Sequence, residues 1–441
     1  MLLNSLIIVN FIIPLLGMVV FCVNKKGLKI DHVFLFSAGF LYFWILPLMT
    51  YQFKIDKIYN EIMVAYNKSY VAATTISEKV FANSFGVENY IVSDDIYIKY
   101  LIILFCIYAA FILGELVSWK IKYKPKIISA FSIKPLDVIL YLFLGILIFM
   151  TVLSYNYYFK GFAQIITLTS FALKAQIIAL NIFLLTLMYM YFFNSKKLDQ
   201  FNNIFTNKYF IIYMISSLLL LSLGNRTWFI CGIVSFFVAY TNYYKRISFK
   251  YAVIGVLLLI LLLGTIPNIR TGNADKISIH SIIYLTLFDS FAMFNGLKYY
   301  LINNGIDYLN YPIILLSKVL GIIPSHLMPN KSDYYTSLSD IGVDYIGIQA
   351  AWHTFPLLMI HFGIIGSILL AFISPIVLQY LKQSAHLKAS YITIVAYLAA
   401  PFFRDFDNYA IKIVLQMSII MPISYLIICH ISARFEKHKN I

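Results

Sequence analysis

Apolar runs of about twenty residues recur along this chain with only short polar segments between most of them, and that pattern leaves few folds open. Stretches such as 101–113 and 256–266 carry no charge and no alternation of polar with apolar side chains. A helix of roughly 20 apolar residues is long enough to cross a bilayer. In hydrocarbon every backbone N–H and C=O needs a partner inside the protein, so only helices and closed barrels span it. Barrel strands are about 10 residues long and alternate strictly; these runs do not. Charge is scarce as well, at 12% of residues, where a soluble domain carries about 25%. The expected fold is an all-α polytopic membrane protein, a single integral membrane domain over 1–441.

Reading the runs in order places spans at 2–23, 32–51, 96–118, 136–158, 171–193, 209–223, 227–243, 251–267, 352–380, 390–403 and 409–431, about eleven in all. The first run lacks a basic leader and a small-residue cleavage site, so it is expected to be retained as a helix. Lysine and arginine then fix the orientation. They concentrate in alternate connections: Lys25, Lys26 and Lys29; Lys120, Lys122, Lys124, Lys126 and Lys134; Lys196, Lys197 and Lys208; Lys245, Arg246 and Lys250; Lys382 and Lys388; and a tail with Arg434, Lys437 and Lys439. Nineteen of the 34 basic residues lie in these short segments. Basic connections stay on the cytoplasmic side, which puts the amino terminus outside and the carboxyl terminus inside. The net charge of +15 thus reflects topology, not a nucleic-acid surface.

Two long loops fall on the outer side, 52–95 and 268–351. The later one holds apolar stretches at 279–301 and 311–323, which suit short helices at the outer interface, a re-entrant pair, or two added crossings that leave the downstream orientation unchanged. Long ordered loops are commonly functional. The four cysteines, Cys22, Cys106, Cys231 and Cys429, lie in or beside apolar runs with no metal-ligand spacing and read as small buried hydrophobes. No P-loop, nucleophile elbow, dinucleotide fingerprint or metal constellation is present, so neither cofactor nor metal is expected.

The chemistry is sought among the arginines, of which there are five against 29 lysines. Arg246 and Arg434 belong to cytoplasmic segments. Arg226, Arg270 and Arg404 instead fall at the expected outer ends of helices. Guanidinium is planar, always charged and presents a fork that matches phosphate. The alternative is a side chain that snorkels to the headgroups. Arg226 follows Gly224 and Asn225 between two short spans, where a turn would present it beside free helix N–H groups suited to an anion. Arg270 follows Pro267, Asn268 and Ile269 at the start of the large loop. Arg404 sits in a turn with Asp405 and Asp407, which either pair with it structurally or supply a catalytic carboxylate. His353, entering a helix from the outer loop, is suited to act as a base or to hydrogen-bond a sugar, unless it is merely solvated. Gly363 and Gly366, downstream, suit close helix packing.

In these features the chain resembles the bacterial O-antigen and oligosaccharide repeat-unit polymerases, the Wzy-type proteins. The resemblance rests on the number of spans, the large late outer loop, Gly224-Asn225-Arg226 opening a helix, and His353 followed by Gly363-Ile364-Ile365-Gly366. The last stretch is also similar to its counterpart in O-antigen ligases. The resemblance implies a glycosyltransferase in the bacterial cytoplasmic (inner) membrane that polymerises undecaprenyl-diphosphate-linked repeat units into O-antigen or capsule. Arg226, Arg270 and Arg404 would hold the diphosphate, with His353 or Asp405 as the base, and no metal or nucleotide is needed. The implied partners are lipid-linked glycans and membrane lipids, with room for a chain-length regulator and a flippase, and no nucleic acid. Ligase-type transfer and a polysaccharide flippase or transporter are the alternatives.

Overall fold

A computed structural model describes residues 2–53, 92–121, 134–155, 168–194, 204, 206–222, 226–270, isolated positions between 279 and 302, 354–384, 387–399 and isolated positions between 414 and 427. Apart from a two-stranded hairpin, the elements are helices: α1 (Leu2–Cys22), β1 (Val23–Asn24), β2 (Gly27–Leu28), α2 (His32–Gly39), a π-helical segment (Phe40–Ile45), α3 (Leu46–Gln52), α4 (Asp94–Lys120), α5 (Lys134–Leu153), α6 (Leu168–Asn194), α7 (Lys208–Ser222), α8 (Arg226–Tyr243), α9 (Phe249–Arg270), α10 (Thr354–Gln383), α11 (Lys388–Ala399) and a second π-helical segment (Gln416–Ile420).

Six of the described helices are long and apolar enough to cross a membrane: Leu2–Cys22, His32–Met49, Asp94–Lys120, Leu136–Leu153, Gln176–Phe193 and Thr354–Gln383. Lys208–Ser222, Trp228–Tyr243 and Phe249–Leu258 are shorter apolar helices. The chain is thus an all-α protein with the character of a multi-pass membrane protein. Its exterior agrees, since Val19, Val20, Val138, Leu142, Phe149, Leu257, Leu258 and Ile365 are exposed, as lipid-facing side chains are. The two long loops expected at 52–95 and 268–351 lie mostly outside the described residues, as does the 311–323 stretch.

The helices pack around two apolar centres. One joins α1, α2, the first π-helical segment, α4 and α10, with Phe40, Trp44, Tyr100, Leu104 and Phe355 fully buried. The other joins α5, α6, α7, α8 and α11, around Leu140, Leu184, Tyr189, Tyr213 and Tyr397. Lipid tails are as apolar as leucine, so close backbone approach and interhelical hydrogen bonds hold such a bundle. Both are visible. Gly114 of α4 lies against the Phe372 carbonyl of α10, where an added Cβ would overlap it. Asn181 of α6 donates to Ser216 and Ser217 of α7 at 3.2 and 2.9 Å and accepts from the Tyr397 hydroxyl of α11 at 2.9 Å.

The described positions of 279–302 are helical, and Phe294, Leu297, Tyr300 and Leu301 among them pack into the first centre. Thr286 donates to the Ile260 carbonyl of α9 at 3.3 Å, Ser290 to the Tyr42 carbonyl, and Phe294 stacks 6.5 Å from Tyr97. Of the last expected span, 409–431, the structure describes only the π-helical segment and isolated helical positions.

α10 is two helices, 354–362 and 364–383, broken at Gly363 with φ +62. Only glycine takes that conformation at no steric cost. The break lets the Ser367 hydroxyl reach the Leu358 carbonyl nine residues back at 3.1 Å and the Gly363 carbonyl at 2.7 Å. The packing role expected for Gly363 is therefore a break in the helix, and Gly366 faces Phe362 of its own chain segment. Residues 354–361, the helix before the break, are all buried.

Candidate functional site

The connections rich in lysine gather at one end of the bundle. The hairpin and the α8–α9 connection are tied by a pair of backbone hydrogen bonds, Leu28 N to Ile247 O at 2.7 Å and Ile247 N to Leu28 O at 3.0 Å. The Tyr243 hydroxyl donates to the Lys382 carbonyl at 3.1 Å. The Lys388 ammonium lies 5.8 Å from the Phe193 ring and 5.5 Å from the Tyr243 ring. Lys208 pairs with Asp137 at 2.8 Å, joining the starts of α7 and α5. Segments distant in sequence thus meet as the charge alternation predicted.

Helix direction then assigns the other end. α7 leaves the lysine-rich end and finishes at Ser222, and α8 starts at Arg226 and returns. α9 leaves again and finishes at Arg270. Arg226 and Arg270 accordingly occupy helix termini on the face opposite the lysines. Near that face Trp228 stacks on Tyr397 with ring centroids 5.6 Å apart, so the start of α8 lies against the last turns of α11. α10 begins at Thr354, directly after His353. The side chains of Arg226 and Arg270, and the whole of His353, Arg404 and Asp405, lie outside the described residues. Among the described residues no group of His, Cys, Asp and Glu could hold a metal ion.

Sequence reasoning missed a buried polar network at the lysine-rich end, where residues 29–32 meet α4, α10 and α11. Asp31 caps α2, accepting from the Val33 and Phe34 amides at 3.1 and 3.3 Å, because a carboxylate satisfies N–H groups that the first helical turn leaves open. It also pairs with Lys29 at 2.5 Å and with Lys382 of α10 at 3.2 Å. Burial alone would push the Asp31 carboxyl upward, but Lys382 and Lys29 prevail and hold it well below the usual carboxylate range. Burial disfavours charge on Lys29, and Asp31 outweighs that and raises its ammonium. The next residue, His32, bridges two helices. Its Nε2 lies 2.9 Å from a Glu115 oxygen of α4, and its Nδ1 lies 3.0 Å from the Tyr391 hydroxyl of α11. The Trp119 indole donates to the other Glu115 oxygen at 3.0 Å. A carboxylate accepts only, so Nε2 donates to Glu115.

In this network Asp31 faces both ammonium groups, while Glu115 is held by His32, the Trp119 indole and the Ser118 hydroxyl. The network's chemistry is that of a lock between helix ends. The signal available beforehand was Glu115, an acid inside an otherwise apolar run, since ionisable residues there are kept for a purpose. No known family model, curated protein or solved structure matches the chain.

Proposed function

We propose that the chain is a membrane glycosyltransferase that polymerises undecaprenyl-diphosphate-linked oligosaccharide repeat units at the outer face of the bacterial cytoplasmic membrane. The lysine-rich end faces the cytoplasm and the arginine-bearing end faces outward. The supporting observation is the segregation of cations: the connections with Lys25, Lys26, Lys29, Lys245, Lys382 and Lys388 meet at one end, while α8 and α9 carry Arg226 and Arg270 at the other.

In the reaction, a hydroxyl of the incoming lipid-linked unit attacks the anomeric carbon of the growing chain. The bond from that carbon to the diphosphate oxygen breaks, and its electron pair leaves with the lipid diphosphate. The leaving group gains negative charge as the bond stretches, so fixed guanidinium groups favour the transition state over the ground state. Arg226, Arg270 and Arg404 fill that role. His353 or Asp405 takes the hydroxyl proton. The donor is already activated, and no nucleotide is consumed.

Disrupting the gene and resolving the surface polysaccharide on a gel tests the reading. Loss of a polymerase leaves a single repeat unit on its acceptor. A bare acceptor would point to ligase-type transfer, and lipid-linked units trapped inside to a flippase. Either result would replace the proposal.

A further inference from the structure

At the lysine-rich end, the hairpin and the α8–α9 connection border a half-open cavity of about 490 Å³ lined by Lys26, Thr241, Asn242, Tyr244, Lys245 and Arg246. We propose that this cavity is a binding site for a phosphate group, presented by the headgroup of an anionic phospholipid or by a soluble phosphate. The inference does not depend on the glycan-transfer reading.

The contrast with the neighbouring cations carries the argument. Lys29 and Lys382 sit on Asp31, and Lys208 sits on Asp137. Among the described residues no carboxylate pairs with Lys26, Lys245 or Arg246, and the cavity wall contains no acid. Three positive charges thus line a half-open pocket, and among the described residues no carboxylate pairs with them. The volume suits a phosphodiester headgroup, being within the range of small-molecule sites.

Lys26 and Lys245 are themselves exposed, but the frame that carries them is fixed. Arg246 Nη1 donates to the Cys22 and Gly27 carbonyls at 3.2 and 3.4 Å, which fixes the guanidinium plane and leaves its other N–H groups to a ligand. The Lys26 amide is held by the Asn24 side chain at 2.8 Å. Gly27 adopts φ +118 and packs on the Ile247 carbonyl so closely that a Cβ would overlap it. Asn242 donates to the Ile30 and Val238 carbonyls, both at 2.7 Å, and Thr241 accepts from the Ile30 amide at 3.0 Å. Tyr244 of the lining is half-exposed, and Phe249 and Tyr251, a few residues further along the chain, are strongly exposed. Aromatic rings of this kind settle at headgroup depth, and basic pockets beside helix ends take anionic headgroups.

The test titrates the purified full chain in detergent with phosphatidylglycerol, with phosphatidylcholine and with inorganic phosphate, counting bound molecules by native mass spectrometry. Two variants of equal net charge are compared. One is Lys26→Gln with Lys245→Gln, which strips the cavity. The other is Lys25→Gln with Lys250→Gln, outside its wall. Each lysine near an anionic lipid contributes about fivefold, so the cavity pair should weaken binding by about 30-fold, and the control pair should leave it within threefold. Dependence seen with phosphatidylglycerol assigns the site to lipid; dependence seen with inorganic phosphate assigns it to a soluble ligand. Equal losses in both variants would mean charge spread over the surface and would overturn the proposal. So would equal binding of the two lipids together with no binding of phosphate.

Discussion

Replacing Asp31 with alanine removes a helix cap and an ion pair from one buried point. The cap accepts two amides of α2, and its loss costs about 1 kcal/mol. Lys382, whose side chain is 12% exposed, is left without its counter-charge, and breaking a buried pair in this way costs about 3–5 kcal/mol. Lys29 is 22% exposed; it can turn to water and adds little. The expected loss is then about 4–6 kcal/mol. For 441 residues, an unfolding entropy of about 2.1 cal/mol/K per residue turns this into a fall in Tm of about 4–7 °C. Thermal unfolding of the purified chain in detergent, followed by tryptophan fluorescence, reads it. Asp31→Asn keeps the cap and should lose only the ionic part. In a double-mutant cycle, Asp31→Ala and Lys382→Met should cost less together than the sum of the two alone, because Asp31→Ala strands the Lys382 charge and the second substitution removes it, whereas Lys382→Met leaves Asp31 paired with Lys29. Strict additivity, or a shift below 1 °C for Asp31→Ala, would refute the claim that this lock holds the helix ends.

Other expectations follow from the same geometry. The lowered Asp31 carboxyl contributes stability that is present above its ordinary value of 3.8 and lost as pH falls below it. The raised Lys29 contributes stability that fades as pH climbs past its ordinary 10.5. The melting temperature should form a plateau between those limits, and Asp31→Asn should blunt the acid edge. Gly363→Ala forces a side chain onto φ +62 and should cost about 1–3 kcal/mol, seen as a lower Tm than that of Gly366→Ala. For topology, a cysteine placed at Lys25 should resist a membrane-impermeant maleimide in intact cells, whereas one at Asn225 should react; the reverse pattern would invert the orientation.

The helices were legible in the sequence because hydropathy is a local property. The run at 96–118 corresponds to Asp94–Lys120, 209–223 to Lys208–Ser222, and 227–243 to Arg226–Tyr243. The run at 136–158 corresponds to Lys134–Leu153, and its last residues, 156–158, lie outside the described residues. What hydropathy does not encode is pairing between distant segments. Asp31 meets Lys382 across 351 positions, and His32 meets Tyr391 across 359, so neither partner marks the other in a linear reading. Nor did the lysines suggest the hairpin: Lys25 and Lys26 read as topology signals, while the turn depends on Gly27 and on Ile247, far along the chain. Glu115 alone was conspicuous. Of the candidate site, the sequence supplied the arginines, and the structure adds which end of the bundle the helix termini of two of them occupy.

Arg226→Ala puts the central claim to the most direct test. The variant is expressed in cells lacking the native copy, its level in the membrane is measured, and the surface glycan is resolved by length. The account predicts undiminished protein and a collapse of long chains to a single repeat unit. Chains of normal length from a variant present at normal level would contradict it.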